Sequence, residues 1–122
     1  MSNPKDRAAT KEFSRLIDIL RALRAPDGCD WDREQTSESL LPYLLEECYE
    51  VIEAVDSGDQ ESLKEELGDL LLHIVFQAEI AFDEKSFHIS DSIRGVCDKL
   101  ISRHPHIFDN RSDRDSNDSW KE

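Results

Sequence analysis

The stretch Leu40–Asp69, LLPYLLEECYEVIEAVDSGDQESLKEELGD, decides the fold. Two leucine-rich segments are separated by Ser57-Gly58-Asp59, a run that stops a helix. Each segment carries an acidic pair at the same spacing, Glu47 with Glu50 and Glu66 with Asp69. Residues three apart are neighbours on a helix surface, so each pair presents one forked carboxylate ligand. At about 100° per residue, Leu41, Leu44, Cys48, Val51, Ile52 and Val55 gather on one side of the first helix. Glu47 and Glu50 stand on the shoulder of that side, and Glu46 and Glu53 lie nearly opposite it. In the second segment Leu63, Leu67, Leu70, Leu71, Ile74 and Ala78 form the main stripe, while Leu72 and Phe76 lie elsewhere on the wheel. Glu66, Asp69 and His73 fall between those two apolar groups. A charged stripe flanked by hydrophobic surface suits a groove between helices better than a solvated face.

If the two helices pack antiparallel through these stripes, the four carboxylates converge. Two unit charges about 5 Å apart cost on the order of 3 kcal/mol at an effective dielectric near 20, so such a cluster needs a cation or a raised pKa. An all-oxygen cage is what Mg²⁺, Mn²⁺ or Ca²⁺ prefers. The plain alternative is a set of ordinary surface acids, since 28 acidic residues make chance pairs common. Two pairs in the same phase against their own stripes weigh against it. Gly68 sits in mid-helix, where glycine costs about 1 kcal/mol relative to alanine; either something approaches the backbone there or it is a tolerated packing residue.

At 122 residues the chain is expected to form one domain with a single core. No run of eighteen apolar residues occurs and the segment Met1–Thr10 is polar, so the expectation is a cytoplasmic protein without a membrane partner. Cys29, Cys48 and Cys97 form no CxxC pair and argue against a disulfide framework or zinc; Cys48 and Cys97 read as small core residues. A net charge of −13 argues against a nucleic acid polymer as partner, and a phosphate substrate would have to arrive with metal or meet a local basic patch.

In chain order, Lys11–Leu23 reads as a first helix and Cys29–Thr36 as a loop dense in functional groups, with Trp31 read more readily as a core cap than as a stacking residue. Ser37 is the expected N-cap of the second helix. The third helix should run from Gln60 to about Asp83, and its broad apolar surface points to a bundle centre or a subunit interface. A fourth helix is expected over about Ser90–Ser102, with Ile93, Val96, Cys97, Leu100 and Ile101 inward. Lys99 and Arg103 lie one turn apart at its end, fitting either the helix carboxyl terminus or a phosphate. His104-Pro105-His106 reads as a rigid turn. Asp113, Asp115 and Asn117 imitate an EF-hand start, but Asp118 stands where glycine is required, so no calcium loop is expected. The fold class is all-α, an antiparallel four-helix bundle completed by oligomerisation.

Four blocks in order carry a resemblance: Cys29-Asp30-Trp31-Asp32 with Gln35-Thr36; Tyr43 to Glu47 with Glu50; Glu65 to Leu71; and Asp98-Lys99-Leu100 with Arg103 to Phe108. They are similar to the MazG family of nucleoside triphosphate pyrophosphohydrolases, over about Leu16 to Phe108. The resemblance implies a MazG-like domain over 1–108, a polar tail over 109–122, and Mg²⁺-dependent cleavage of an NTP or dNTP between the α and β phosphates, with Mn²⁺ a possible substitute. Glu47, Glu50, Glu66 and Asp69 would hold the metal, and Glu46, Glu47 and Glu50 would serve catalysis. Lys99 and Arg103 would contact phosphates, and Trp31, Gln35 and Trp120 the base or pocket rim. The expected assembly is a homodimer or a dimer of dimers. Three features depart from the family: Asp30 stands where proline is common, one domain occurs where many members carry two, and little chain comes after Phe108.

Overall fold

The computed structural model describes residues 3–108, and all its regular structure is helical. Six helices occur among these residues: α1 (Pro4–Arg24), α2 (Asp30–Glu34), α3 (Leu41–Ser57), α4 (Gln60–Asp83), α5 (Ile89–Ser102) and α6 (Pro105–Phe108). Contacts divide the chain into two compact units, Met1–Phe87 and His88–Glu122. None of the helices is long and apolar enough to cross a membrane.

The long helices of the first unit are set by their caps. Asn3 accepts from Asp6 N at 2.9 Å while the Asp6 carboxylate accepts from Asn3 N, a capping box with Pro4 at N1. This starts α1 well before Lys11, where apolar spacing alone places it, and residues 4–12 are exposed. Asp59 caps α4 by accepting from Glu61 N and Ser62 N at 3.0 and 3.3 Å. These bonds hold the Asp59 carboxyl below its ordinary value, Ser62 contributing most. Gly58, at φ 73°, closes α3 in the left-handed conformation that only glycine adopts at little cost.

Ser37 is not the cap of α3. Thr36 and Ser39 instead bond each other's backbone N–H at 3.0 and 2.8 Å, and α3 starts at Leu41 after a cap residue, Leu40, that makes no side-chain bond. The carbonyl of Ser37 receives Gln77 Nε2 at 3.0 Å. The Ser37–Gln77 contact, together with the two-residue turn Gly58-Asp59, makes α3 and α4 an antiparallel hairpin, the most extensive packing in the chain. The pairs Arg21–Glu79 and Arg24–Asp83 advance together along both helices, so α1 runs parallel to α4. Leu20, Leu40, Ala54, Val75, Phe76, Ala78 and Ile80 form the core of this unit.

The hairpin packs through only part of the stripes the wheel assigns: Leu44, Val51, Leu63 and Leu70 are half-buried and Ala78 is buried. Leu41, Ile52 and Val55 of α3 are exposed, as are Leu67, Leu71 and Ile74 of α4. Val75 and Phe76 are buried in their place. Cys48 is exposed too, so it is not a core residue.

In the second unit His88 caps α5, its Nδ1 accepting from Ser90 N at 3.0 Å, and Ile89 is buried. Ile93, Val96, Cys97 and Ile101, expected inward, are exposed. His104 Nδ1–H donates to Leu100 O at 2.7 Å and α6 begins at Pro105, so the expected His-Pro-His turn is confined to His104, and Pro105 and His106 open the next helix.

Candidate metal centre

The facing sides of α3 and α4 carry the acids. Glu47 of α3 meets Glu66 and Asp69 of α4, each offering a carboxylate oxygen within 4.8 Å of the others. Glu50, one turn beyond Glu47, lies outside that triad. It lines the adjoining groove of about 480 Å³ with Glu53, Asp56, Ser57, Ser62 and Glu66. Glu46 is exposed and stands apart from the triad. His73 continues the Glu66–Asp69 face by one turn, and its Nδ1 is buried without a hydrogen-bond partner. Nothing described lies within 4 Å of a Cβ built on Gly68, so no described group makes a close approach there.

Glu47 Oε2 is buried and has no hydrogen-bond partner. Its neighbours are carboxylates, and when all are ionised none can donate. A proton on Glu47 converts its contact with Glu66 into a hydrogen bond. That bond first, then burial, then the charges of Glu66, Asp69 and Glu50 push the Glu47 carboxyl up to about 7. A hard divalent cation answers the same deficit, because the available donors are all carboxylate oxygens around an orphaned buried one. Glu47, Glu66 and Asp69 therefore fit such an ion.

The raised Glu47 pKa also makes the stability of the metal-free protein depend on pH. An unfolded glutamate titrates near 4.3, so between about pH 4.3 and 7 the native state keeps a proton that the unfolded chain has lost. This contribution is complete below the unfolded value and is lost as pH rises through the native one. Thermal melts in chelator are expected to show a Tm decline across that window that is flattened in Glu47→Gln. Equal slopes in the two proteins would overturn it.

Of the residues expected to meet substrate, Trp31, on α2, is exposed and stands edge-on to the exposed ring of Tyr43, with centroids 5.9 Å apart at 79°. Tyr43 precedes Glu47 by one turn on the same side of α3, a position that the wheel reveals once Trp31 is known to meet it. The Gln35 amide is engaged within the chain, Nε2 donating to Trp31 O at 2.9 Å and Oε1 accepting from Ser39 Oγ at 2.7 Å. Lys99 and Arg103 end α5 one turn apart, in the second unit. Trp120 lies outside the described residues.

An all-α chain whose helical hairpin opposes glutamate and aspartate across a shared groove belongs to the class of acidic-site helical proteins. Residues 35–108 match the MazG nucleotide pyrophosphohydrolase domain, and the chain belongs to that family. It is 56% identical over 96 residues to the nucleoside triphosphate pyrophosphohydrolase/pyrophosphatase MazG of Thermotoga maritima, covering 79% of this chain and 38% of that protein. It is 44% identical over 108 residues to the nucleoside triphosphate pyrophosphohydrolase of Escherichia coli K12, covering 88% and 41%. The chain thus spans about two-fifths of the length of these relatives. The crystal structure of a mazG-related protein from Thermotoga maritima superposes with a TM-score of 0.70 at 31% identity, over 88% of this chain and 92% of that one.

Proposed function

We propose that this domain hydrolyses nucleoside triphosphates, ribo or deoxy, between the α and β phosphates, giving a monophosphate and pyrophosphate. The observation that carries the proposal is the convergence of Glu47, Glu66 and Asp69 around a buried unpartnered oxygen in a domain of this family. The relatives' names specify the same activity.

Glu47, Glu66 and Asp69 hold Mg²⁺, or Mn²⁺ in its place, with Glu50 completing the set from the adjoining groove. The ion supplies charge neutralisation on the triphosphate and lowers the pKa of water. A carboxylate beside the attacking water takes its proton. Glu50, which lines the groove beside Glu66, has the better position for this than Glu46, and Glu47 is the remaining candidate. The water oxygen bonds to the α phosphorus as the bridging P–O bond to the β phosphate breaks. Lys99 and Arg103 bind phosphate oxygens, and Trp31, with Gln35 and Trp120, borders the base. Such chemistry suits nucleotide-pool house-cleaning in the cytoplasm. The exposed stripe of Leu41, Ile52, Val55, Leu67, Leu71 and Ile74 supports a homodimer or a dimer of dimers, in which a second copy covers it.

The test is pyrophosphate release from a panel of canonical and modified NTPs and dNTPs with Mg²⁺, with Mn²⁺ and with chelator. Metal-dependent, equimolar monophosphate and pyrophosphate are expected. Metal binding by calorimetry with silence across the panel would instead favour a noncatalytic acidic module that binds a cation or a basic partner.

A further inference from the structure

We infer that Arg24 is a positioning residue for the nucleobase, holding Trp31 against Tyr43 through a clasp of two arginines. The inference rests on the proposed hydrolysis only for what the aromatic pair contacts. The clasp itself is geometric.

Helix α2 has five residues and no side-chain cap at its start, too short to persist alone. Arg24, at the end of α1, supplies what it lacks. Its Nη1–H groups reach Asp32 O at 2.8 Å and Gln35 O at 3.4 Å, carbonyls at the α2 carboxyl end. Its Nε and Nη2 both donate to Asp83 Oδ2, at 3.3 and 3.1 Å. The guanidinium lies 5.4 Å from the centroid of the buried Phe76 ring. The side chain is 11% exposed, so α1, α2 and α4 meet on one nearly buried cation.

Arg33 returns the gesture from α2, its Nη1 donating to Ala25 O at 3.3 Å and Pro26 O at 3.1 Å, while it pairs with Asp30. Between the two arginines the chain turns tightly. Cys29 N reaches Leu23 O at 2.8 Å, and a Cβ on Gly28 would stand 2.4 Å from both Ala22 O and Leu23 O, so only glycine fits.

Trp31 rides on this clasped segment. Its carbonyl is held by Gln35 and its indole meets Tyr43, one helical turn from Glu47. Both residues keep open surface, 48% and 46% exposed, and Tyr43 joins the pair to the carboxylate triad by standing one turn before Glu47 on α3. Stacking on such rings is worth about tenfold or more in affinity. A lysine at position 24 can pair with Asp83 but cannot fork to two carbonyls as well. Loosening α2 should therefore weaken ground-state binding of the base and leave the phosphate chemistry unchanged.

The experiment compares Arg24→Lys with the wild-type chain, and for the quenching readout alone both also carry Trp120→Phe, so that Trp31 is the sole tryptophan. The readouts are acrylamide quenching of Trp31, KM and kcat for pyrophosphate release, and Mn²⁺ affinity without nucleotide. Arg24→Lys is expected to raise quenching and to raise KM about tenfold, with kcat within about twofold and Mn²⁺ affinity unchanged. Asp83→Asn, which loosens the clasp from its exposed partner, should shift the same readouts less and serves if Arg24→Lys does not fold. Unchanged KM and quenching, or a loss of kcat together with Mn²⁺ affinity, overturns the inference. A wild-type chain that binds Mn²⁺ but releases no pyrophosphate refutes the proposed hydrolysis; the clasp is then still decided by quenching, supported by a rise and overturned by none.

Discussion

Asp69→Asn is expected to lower kcat/KM for pyrophosphate release by on the order of 10²–10³-fold while leaving the helical content intact. The amide is nearly isosteric, so the packing of α4 is not at issue. What is lost is one anionic ligand from a triad whose oxygens lie within 4.8 Å of one another. Mg²⁺ should bind more weakly, and Mn²⁺, which most nitrogen and oxygen sites bind more tightly than they bind the harder ion, should restore part of the rate. The same substitution removes a like charge beside Glu47, so the metal-free variant should melt at a higher temperature than the wild type. Glu50→Gln should also abolish turnover, although Glu50 sits in the adjoining groove rather than in the triad. Opposite signs for activity and metal-free stability distinguish a metal centre from a structural ion pair, whose loss would lower both. Wild-type turnover in both variants would remove the carboxylates from the mechanism.

The acidic forks and the α4 boundaries were legible because both rest on local rules. Asp59 caps the helix after it and Gly58 ends the helix before it, whatever the tertiary context. The facing of the hairpin was not legible. A wheel ranks hydrophobic sides but cannot say which part of a side meets the sister helix and which is left open, and here much of the leucine stripe is left open. Three of the four carboxylates, Glu47, Glu66 and Asp69, still converge, without Glu50, because Glu47 and Glu66 lie on the shoulders through which α3 and α4 do pack. Cys48 went outward with the stripe for the same reason. The start of α1 was missed because its first two turns carry no buried residue and are fixed by the Asn3–Asp6 box. The clasp of Arg24 and Arg33 is not legible in the sequence because the bonds that tie α2 to the end of α1 run to backbone carbonyls, which no side-chain pattern encodes.

Arg21→Met is expected to destabilise the fold by about 3 kcal/mol near neutral pH, the low end for breaking a buried ion pair, since Arg21 itself is partly solvated. Glu79 is 2% exposed in the α4 core face, and Arg21 meets both its oxygens, Nε at 2.7 Å and Nη2 at 3.4 Å. The hydrogen bond to Glu79 raises the Arg21 pKa above its ordinary value. The guanidinium also lies 4.8 Å from the centroid of Phe82, so methionine keeps part of the packing while removing the charge. Adding Glu79→Leu to Arg21→Met should recover most of the loss, because the penalty lies in the unpaired charge rather than in the missing bond. A double variant no more stable than Arg21→Met, measured by urea unfolding at pH 7, would show that the pair contributes through specific geometry instead.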